Sequence, residues 1–272
     1  MAQSGMKDWW ALMEERRTRQ DEPMKPQVLA WELGKRLTNT AIVSSDSGTI
    51  TTWWARQLPV KRGQMYSVSG TLASMACGLP YTIAAQIAYP ERQCVALVGD
   101  GGFTMLMGEF ATAVKYQLPI KAIVVKNNVL GQIEWEQMVF LGNPEYGVDL
   151  HPIDFAAFAR ACGGTGFGIE DPADCGRILD QALATPGPVV VDALVDPYEP
   201  PLPAKITLEQ AAILPAASPA PQGHCAWAWP SEGTHGHGGG AEGALQARTG
   251  LRYSRFRLLW HGRLIWFREG TL

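Results

Sequence analysis

Four short runs, AIVSS (41–45), CVALVG (94–99), IKAIVV (120–125) and PVVVDALV (188–195), are rich in β-branched residues and mostly lack polar alternation. Strands buried on both faces read this way, because neither face meets water. Between the runs, apolar positions recur at helical spacing over about 72–88, 103–117, 154–161 and 172–184. Alternating strands and helices demand right-handed crossovers, so the pattern predicts an α/β fold: a doubly wound parallel sheet with helices on both faces. Ahead of the first strand, 1–38 reads as linker helices. Trp9, Trp10, Leu12 and Met13 punctuate a charged stretch there, and Pro26 can open a second helix through Val28, Leu29, Leu33 and Leu37. The sheet domain is expected over 39–212, and 213–272 is left as an irregular tail.

The tail changes the picture through its composition. Up to residue 213 the chain carries nine Arg and eight Lys, whereas 214–272 carries six Arg, no Lys, Asp or Asn, and four of the ten Trp. GC-rich codons read out of frame favour Arg, Gly, Ala, Pro and Trp over Lys and Asn, so the tail reads as frameshifted or non-native. The alternative is a Pro/Gly-rich disordered extension, in which HGHGGG (235–240) is a linker rather than a metal site. RYSRFRLLWHGRLIWFR (252–268) could form a basic amphipathic helix on a membrane surface. Gly262 and the composition rank that reading below an accidental tail, leaving at most a peripheral membrane contact.

With 46% hydrophobic residues in 272, the chain can bury one sizeable core. Its 26 acidic and 23 basic residues leave a net charge of −3, and no basic run in the first two hundred positions marks a nucleic-acid partner. Lys7, Asp8 and the charged stretch Glu14 to Arg17 interrupt any secretory signal near the start. Five cysteines (Cys77, Cys94, Cys162, Cys175, Cys225) show no CxxC or zinc spacing, as expected of thiols in a reducing cytoplasm.

Candidate chemistry begins at GDGG (99–102), where an apolar strand ends in Asp100 followed by two glycines. Alone this is a common turn. Asn127 lies 27 residues on, at the end of the next strand and after an intervening amphipathic helix. In a right-handed βαβ unit both strands end at the same sheet edge, so Asp100 and Asn127 should emerge side by side. A carboxylate and an amide oxygen suit Mg²⁺, which completes its octahedron with phosphate and water. Gly101 and Gly102 lack Cβ, so their amides can approach a phosphate next to a helix start. Two unrelated strand-end turns remain the structural alternative on spacing alone.

The segment GDGGFTMLMGEFATAVKYQLPIKAIVVKNN (99–128) resembles the motif of thiamine diphosphate enzymes that opens with GDG and closes with NN. It is most similar to the pyruvate oxidase and acetolactate synthase group, over about 7–212. The resemblance implies that Asp100, Asn127 and the main-chain carbonyl of Val129 hold Mg²⁺, with Gly99 in the same turn. Lys126 replaces the first Asn of the usual pair, and counting from Asp100 makes Asn127 the ligand. SDSGTITTWWAR (45–56) resembles the turn and helix start that grip the diphosphate, implicating Ser47, Gly48 and Thr49. GTLASMACGLP (70–80) resembles the segment that wedges an apolar side chain, here Met75, between the cofactor's two rings, with the carbonyl of Ala73 accepting from the aminopyrimidine.

The resemblance further implies decarboxylation of a small 2-oxo acid. In this group a glutamate from a separate pyrimidine-binding domain of a partner subunit completes the site, and the oxidases carry FAD in a middle domain. The matched segments contain neither domain, so the chain is expected to supply half an active site and to be inactive alone, the full-length enzyme being a homo-oligomer. In GQIEWEQMVF (131–140), Ile133 matches the apolar position beside the cofactor, and Glu136 falls where several pyruvate oxidases carry Glu and acetolactate synthases typically Trp. Pyruvate oxidation, or its quinone-linked form, is therefore favoured over acetolactate-type carboligation. The plain alternative is that Glu134 and Glu136 are solvated helix charges.

Overall fold

The computed structural model describes residues 2–141, 145–201, 258–260 and 263–265. The chain divides into two compact units, Met1–Ser218 and Pro219–Leu272. In the first, α1 (Ala2–Arg17) and α2 (Pro26–Arg36) precede β1 (Ile42–Ser45), α3 (Thr49–Gln57) and β2 (Met65–Ser67). Next come α4 (Gly78–Ala88), β3 (Cys94–Gly99), α5 (Asp100–Leu106), α6 (Glu109–Lys115) and β4 (Lys121–Lys126). Then α7 (Gly131–Trp135) runs into a π turn (Glu136–Phe140), followed by α8 (Phe155–Ala161), β5 (Thr165–Ile169), α9 (Cys175–Ala184) and β6 (Val189–Leu194).

Six strands form one sheet in the order β2-β1-β3-β4-β6-β5, every pair parallel. Alternation along each strand sends side chains to opposite faces. On one face Val95, Leu97 and Ile123 pack with Leu29 and Leu33 of α2, Trp53 of α3 and Leu179 of α9. On the other, Ala96, Val98 and Val124 pack with Ile83 of α4, Phe110 of α6 and Phe155 of α8. The expected doubly wound α/β class is thus observed, and the reason is visible in the pattern: β1, β3, β4 and β6 are buried on both faces.

The sequence reading needs four corrections. First, 72–77 is not helical: Ala73 and Ala76 take φ of 47° and 69°, so α4 starts only at Gly78. Second, the helix expected over 103–117 is two, and the first begins at Asp100. Third, β2 and β5 were not anticipated. MYS is too short to carry a period, and TGFGI is diluted by two glycines. Gly166 is required there, since a Cβ would come within 2.0 Å of the Ala156 carbonyl oxygen on α8. Fourth, in the second unit Leu258–Trp260 pairs antiparallel with Arg263–Ile265, so these residues are strands β7 and β8 and not part of an amphipathic helix. The rest of the expected tail, with Cys225 and HGHGGG, lies outside the described residues.

Among the described residues no helix is long and apolar enough to cross a membrane. Cys77, Cys94 and Cys175 are buried free thiols and Cys162 is half-buried and free.

Replacing Gly166 by Ala should force β5 and α8 apart and lower stability by about 2 kcal/mol or more, read as a shifted urea midpoint. An unchanged midpoint would contradict the close approach.

Candidate functional site

Strand order determines where a ligand can sit. The chain passes from β1 to β2 on one side, then crosses back to β3 on the other. Loops leaving the carboxyl ends of β1 and β3 therefore diverge, and the gap between them is a topological switch point. A cavity of about 260 Å³ opens there. Its walls bring together Ser47, Gly48 and Thr49 after β1, Gly99, Asp100, Gly101 and Gly102 after β3, and Asn127 and Val129 after β4. Ala73 and Met75, ahead of α4, and Ile133 of α7 complete them. Glu136 is the exception among the anticipated residues. It is exposed and off the cavity wall, and its carboxylate accepts a 3.2 Å bond from Gln132, which does line the cavity.

Asp100 and Asn127 emerge from neighbouring strands, as the βαβ argument requires. Asp100 is 5% exposed. Its Oδ1 accepts from the Gly101 amide at 2.9 Å, and its Oδ2 from the Asn128 amide at 2.6 Å. The second bond ties the β3 turn to the β4 turn, where Asn128 takes a left-handed φ of 58°. Asn127 Oδ1 accepts weakly from the Val129 amide at 3.3 Å. Burial pushes the Asp100 carboxyl up to about 6, although amides of Asn128, Gly101 and Asn127 pull the other way. Both oxygens are hard donors with lone pairs to spare, so a cation placed between them would offset the cost of the buried charge. Lys126 leaves this side alone: its ammonium donates to the Ile153 carbonyl at 2.8 Å and to Asp192 at 3.2 Å.

Around these oxygens the backbone is bare. A Cβ on Gly99 would meet nothing within 4 Å, so the wall there is open space. Gly48 has φ of 137°, a conformation that side chains resist, and it delivers the chain into α3 at Thr49. First-turn amides of α3 have no partner within the helix and suit an anion. The Gly101 amide is already committed to Asp100, which leaves it less free for a phosphate than the sequence suggests. The Met75 Cε lies 3.4 Å from where a Gly101 Cβ would stand, so the thioether does reach the glycine turn.

Sequence reasoning missed Asp46, Asp196 and Glu199 of the cavity wall, and it offered Glu134 only as a solvated helix charge. Asp46 is 1% exposed, and its Oδ1 accepts from the Gly78 amide at 2.7 Å. A signal existed: like Asp100, it ends a buried strand just before a glycine turn. Glu134 is 4% exposed, behind Ile133 and Trp135 of the cavity wall, and its Oε2 has no hydrogen-bond partner. Burial, with Glu145 and Asp149 adding repulsion, pushes its carboxyl up to about 7. No sequence pattern distinguishes it from the exposed Glu136.

An open parallel sheet with glycine turns and paired oxygens at its switch point defines an α/β domain built to take a ligand at its strand ends. Residues 46–193 match the family described as "Thiamine pyrophosphate enzyme, C-terminal TPP binding domain". The chain belongs to that family. It is 43% identical over 206 residues to YdaP of Bacillus subtilis, whose name marks it as thiamine pyrophosphate-containing by inference; the match covers 76% of this chain and 36% of YdaP. Similarity to the pyruvate oxidase of Lactiplantibacillus plantarum is 32% over 211 residues, covering 76% and 35%. For the acetolactate synthase isozyme 3 large subunit of Escherichia coli it is 31% over 186 residues, covering 65% and 32%. The chain thus spans about a third of the length of these relatives.

Glu134 yields a pH prediction. Its folded carboxyl, at about 7, lies above its ordinary value of 4.5, so the fold disfavours the ionised form. Stability should therefore fall as pH rises from 4.5 through 7. Glu134→Gln removes that cost, and its melting temperature should exceed that of the wild type at pH 8, reflecting a stability gain on the order of 1 kcal/mol, and converge on it near pH 4.5. A constant difference across that range would show that Glu134 is ionised throughout.

Proposed function

We propose that this chain holds thiamine diphosphate through its diphosphate end with Mg²⁺, and serves an enzyme that decarboxylates a small 2-oxo acid. The observation that carries the reading is the convergence of Asp100, Asn127, the open Gly99 wall and the start of α3 on one cavity. Asp100, Asn127 and the Val129 carbonyl would hold the cation, and amides of Gly48 and Thr49 with the Ser47 side would take the diphosphate. Ser47 is restrained for this by its hydroxyl bond to the Ser69 carbonyl, 3.2 Å. Met75 would support a bent cofactor from below, and the carbonyl of Ala73, whose φ is 47°, would accept from the ring amine. When bound, the cofactor supplies an acidic carbon that adds to a ketone and a cationic ring that takes up the electrons left by departing CO₂. Ile133 keeps the reacting end apolar, which favours loss of CO₂ from a carboxylate stripped of water.

Pyruvate oxidation, or its quinone-linked form, is the reaction we favour, on the position of Glu136 in the resemblance. Through Gln132 its charge would act on the cavity indirectly. Carboligation of the acetolactate synthase kind is the second reading, favoured by nearly equal identity to relatives of both names.

Titration calorimetry with thiamine diphosphate and Mg²⁺ tests the metal assignment. Asp100→Ala removes the charged ligand and should abolish Mg²⁺-dependent binding, while Asp174→Ala, which breaks only an exposed pair with Arg177, should leave it unchanged. Unaltered affinity in the Asp100 variant would refute the assignment.

Acidity supplies a second test of the same site. The cation needs the ionised carboxylate, and the metal-free Asp100 carboxyl sits at about 6. Mg²⁺ affinity should therefore be flat above pH 7 and fall about tenfold per unit once pH drops below about 6. A flat profile down to pH 5 would count against Asp100 as a ligand.

A further inference from the structure

The segment that carries Ala73 and Met75 has little to hold it in place. Residues 72–77 form neither helix nor strand, and both Ala73 and Ala76 are left-handed without being glycine. Such backbone persists only where the surroundings over-determine it. Local ties are few: the Ser74 amide donates to Ser69 Oγ at 3.1 Å, and the Cys77 thiol donates to the Ser45 carbonyl at 3.3 Å. The Ser47 amide donates to the Ser74 carbonyl at 3.5 Å, and a further anchor is Asp46. Its Oδ1 takes the Gly78 amide from 32 residues away, which caps the start of α4 by a tertiary contact in place of a neighbouring side chain.

The other oxygen of Asp46 faces the glycine turn. A Cβ on Gly102 would stand 2.1 Å from Oδ2 and 3.4 Å from the Ala76 amide nitrogen. Asp46 Oδ2 is fully buried and has no partner at hydrogen-bond distance. Burial raises the Asp46 pKa, while amides of Gly78, Ala76 and Cys77 favour the ionised form. One carboxylate thus sits where the β1 turn, the glycine turn after β3 and the segment ahead of α4 meet. Asn has the same size and can keep the bond to Gly78, but it carries no charge for the amides of Gly78, Ala76 and Cys77 to favour.

We propose that Asp46 is the positioning residue that holds 73–78 in its strained path, and so lets the site read the ring half of the cofactor as well as its diphosphate. This rests on the cofactor reading above. Asp46 also lines the cavity, but the role proposed for it is exerted through Ala73 and Met75.

The test uses the full chain 1–272 as wild type, Asp46→Asn and Asp46→Ala, each titrated in Mg²⁺ with thiamine diphosphate and, separately, with inorganic pyrophosphate. Hydrogen exchange is read on the ligand-free proteins. Both variants should lose about tenfold or more in thiamine diphosphate affinity while pyrophosphate stays within about twofold. Amide protection should fall across 73–78 and persist in β3 and β4. If Asp46→Ala does not fold, Asp46→Asn carries the comparison. Parallel loss of both ligands, or unchanged protection at 73–78, would overturn the proposal. A wild type that binds thiamine diphosphate no more tightly than pyrophosphate would overturn this proposal alone, whereas thiamine diphosphate binding with no dependence on Mg²⁺ would overturn the cofactor reading. Ring-dependent binding that survives Asp46→Asn would overturn the role of Asp46 alone.

Discussion

The Asp100 carboxylate, accepting one amide from its own turn and one from Asn128, is the contact on which the site depends. It joins the exits of two adjacent central strands, and it does so from a position nearly closed to water. The β4 exit, which passes through the left-handed Asn128, is held from the other side by a bridge of Val129 with Asp149 and by backbone bonds to Val148 and Leu150, so the Asp100 bond sets its approach to the β3 turn. Downstream, the start of α7 also relies on this placement. Gly131 approaches both Asn127 Nδ2 and the Thr49 side chain so closely that a Cβ would lie 3.1 Å and 3.3 Å from them.

Three carboxyls around this cavity, Asp46, Asp100 and Glu134, are buried and raised in pKa. A fold selected for stability alone would place amides or apolar groups there, because burying an acid costs free energy unless it is fully partnered. Strained alanines add to that cost in the same region. This concentration of perturbed acids coincides with the candidate ligand site. The roles separate by geometry: Asp100 faces the cavity beside Asn127, Asp46 faces the backbone of its neighbours, and Glu134 lies behind the wall.

The scaffold that bears this cost is ordinary and robust. Two apolar layers clamp the central strands, and the ends of the sheet are set by local devices. Lys121, 4% exposed, donates both to Thr185 and to Gly187 carbonyls and so closes the turn ahead of β6. Asp192 accepts from the Phe155 amide at 3.0 Å and fixes where α8 begins relative to β6.

Four central strands, their helices and the pairing of Asp100 with Asn127 could be read from the chain itself. Burial on both faces leaves an unbroken apolar run, and crossover handedness dictates which strand ends share an edge. The edge strands β2 and β5 could not be read, since a half-buried or glycine-diluted strand has no such run. The path of 72–77 could not either: its composition is apolar and helical, and contacts with Ser45, Asp46, Ser47 and Ser69 turn it into a strained segment. Glu134 and Glu136 differ by two residues on one short stretch, yet one is buried and the other exposed. Local pattern encodes what each residue prefers, whereas burial and partner depend on which distant segments close over it. That was decided by the tertiary structure alone.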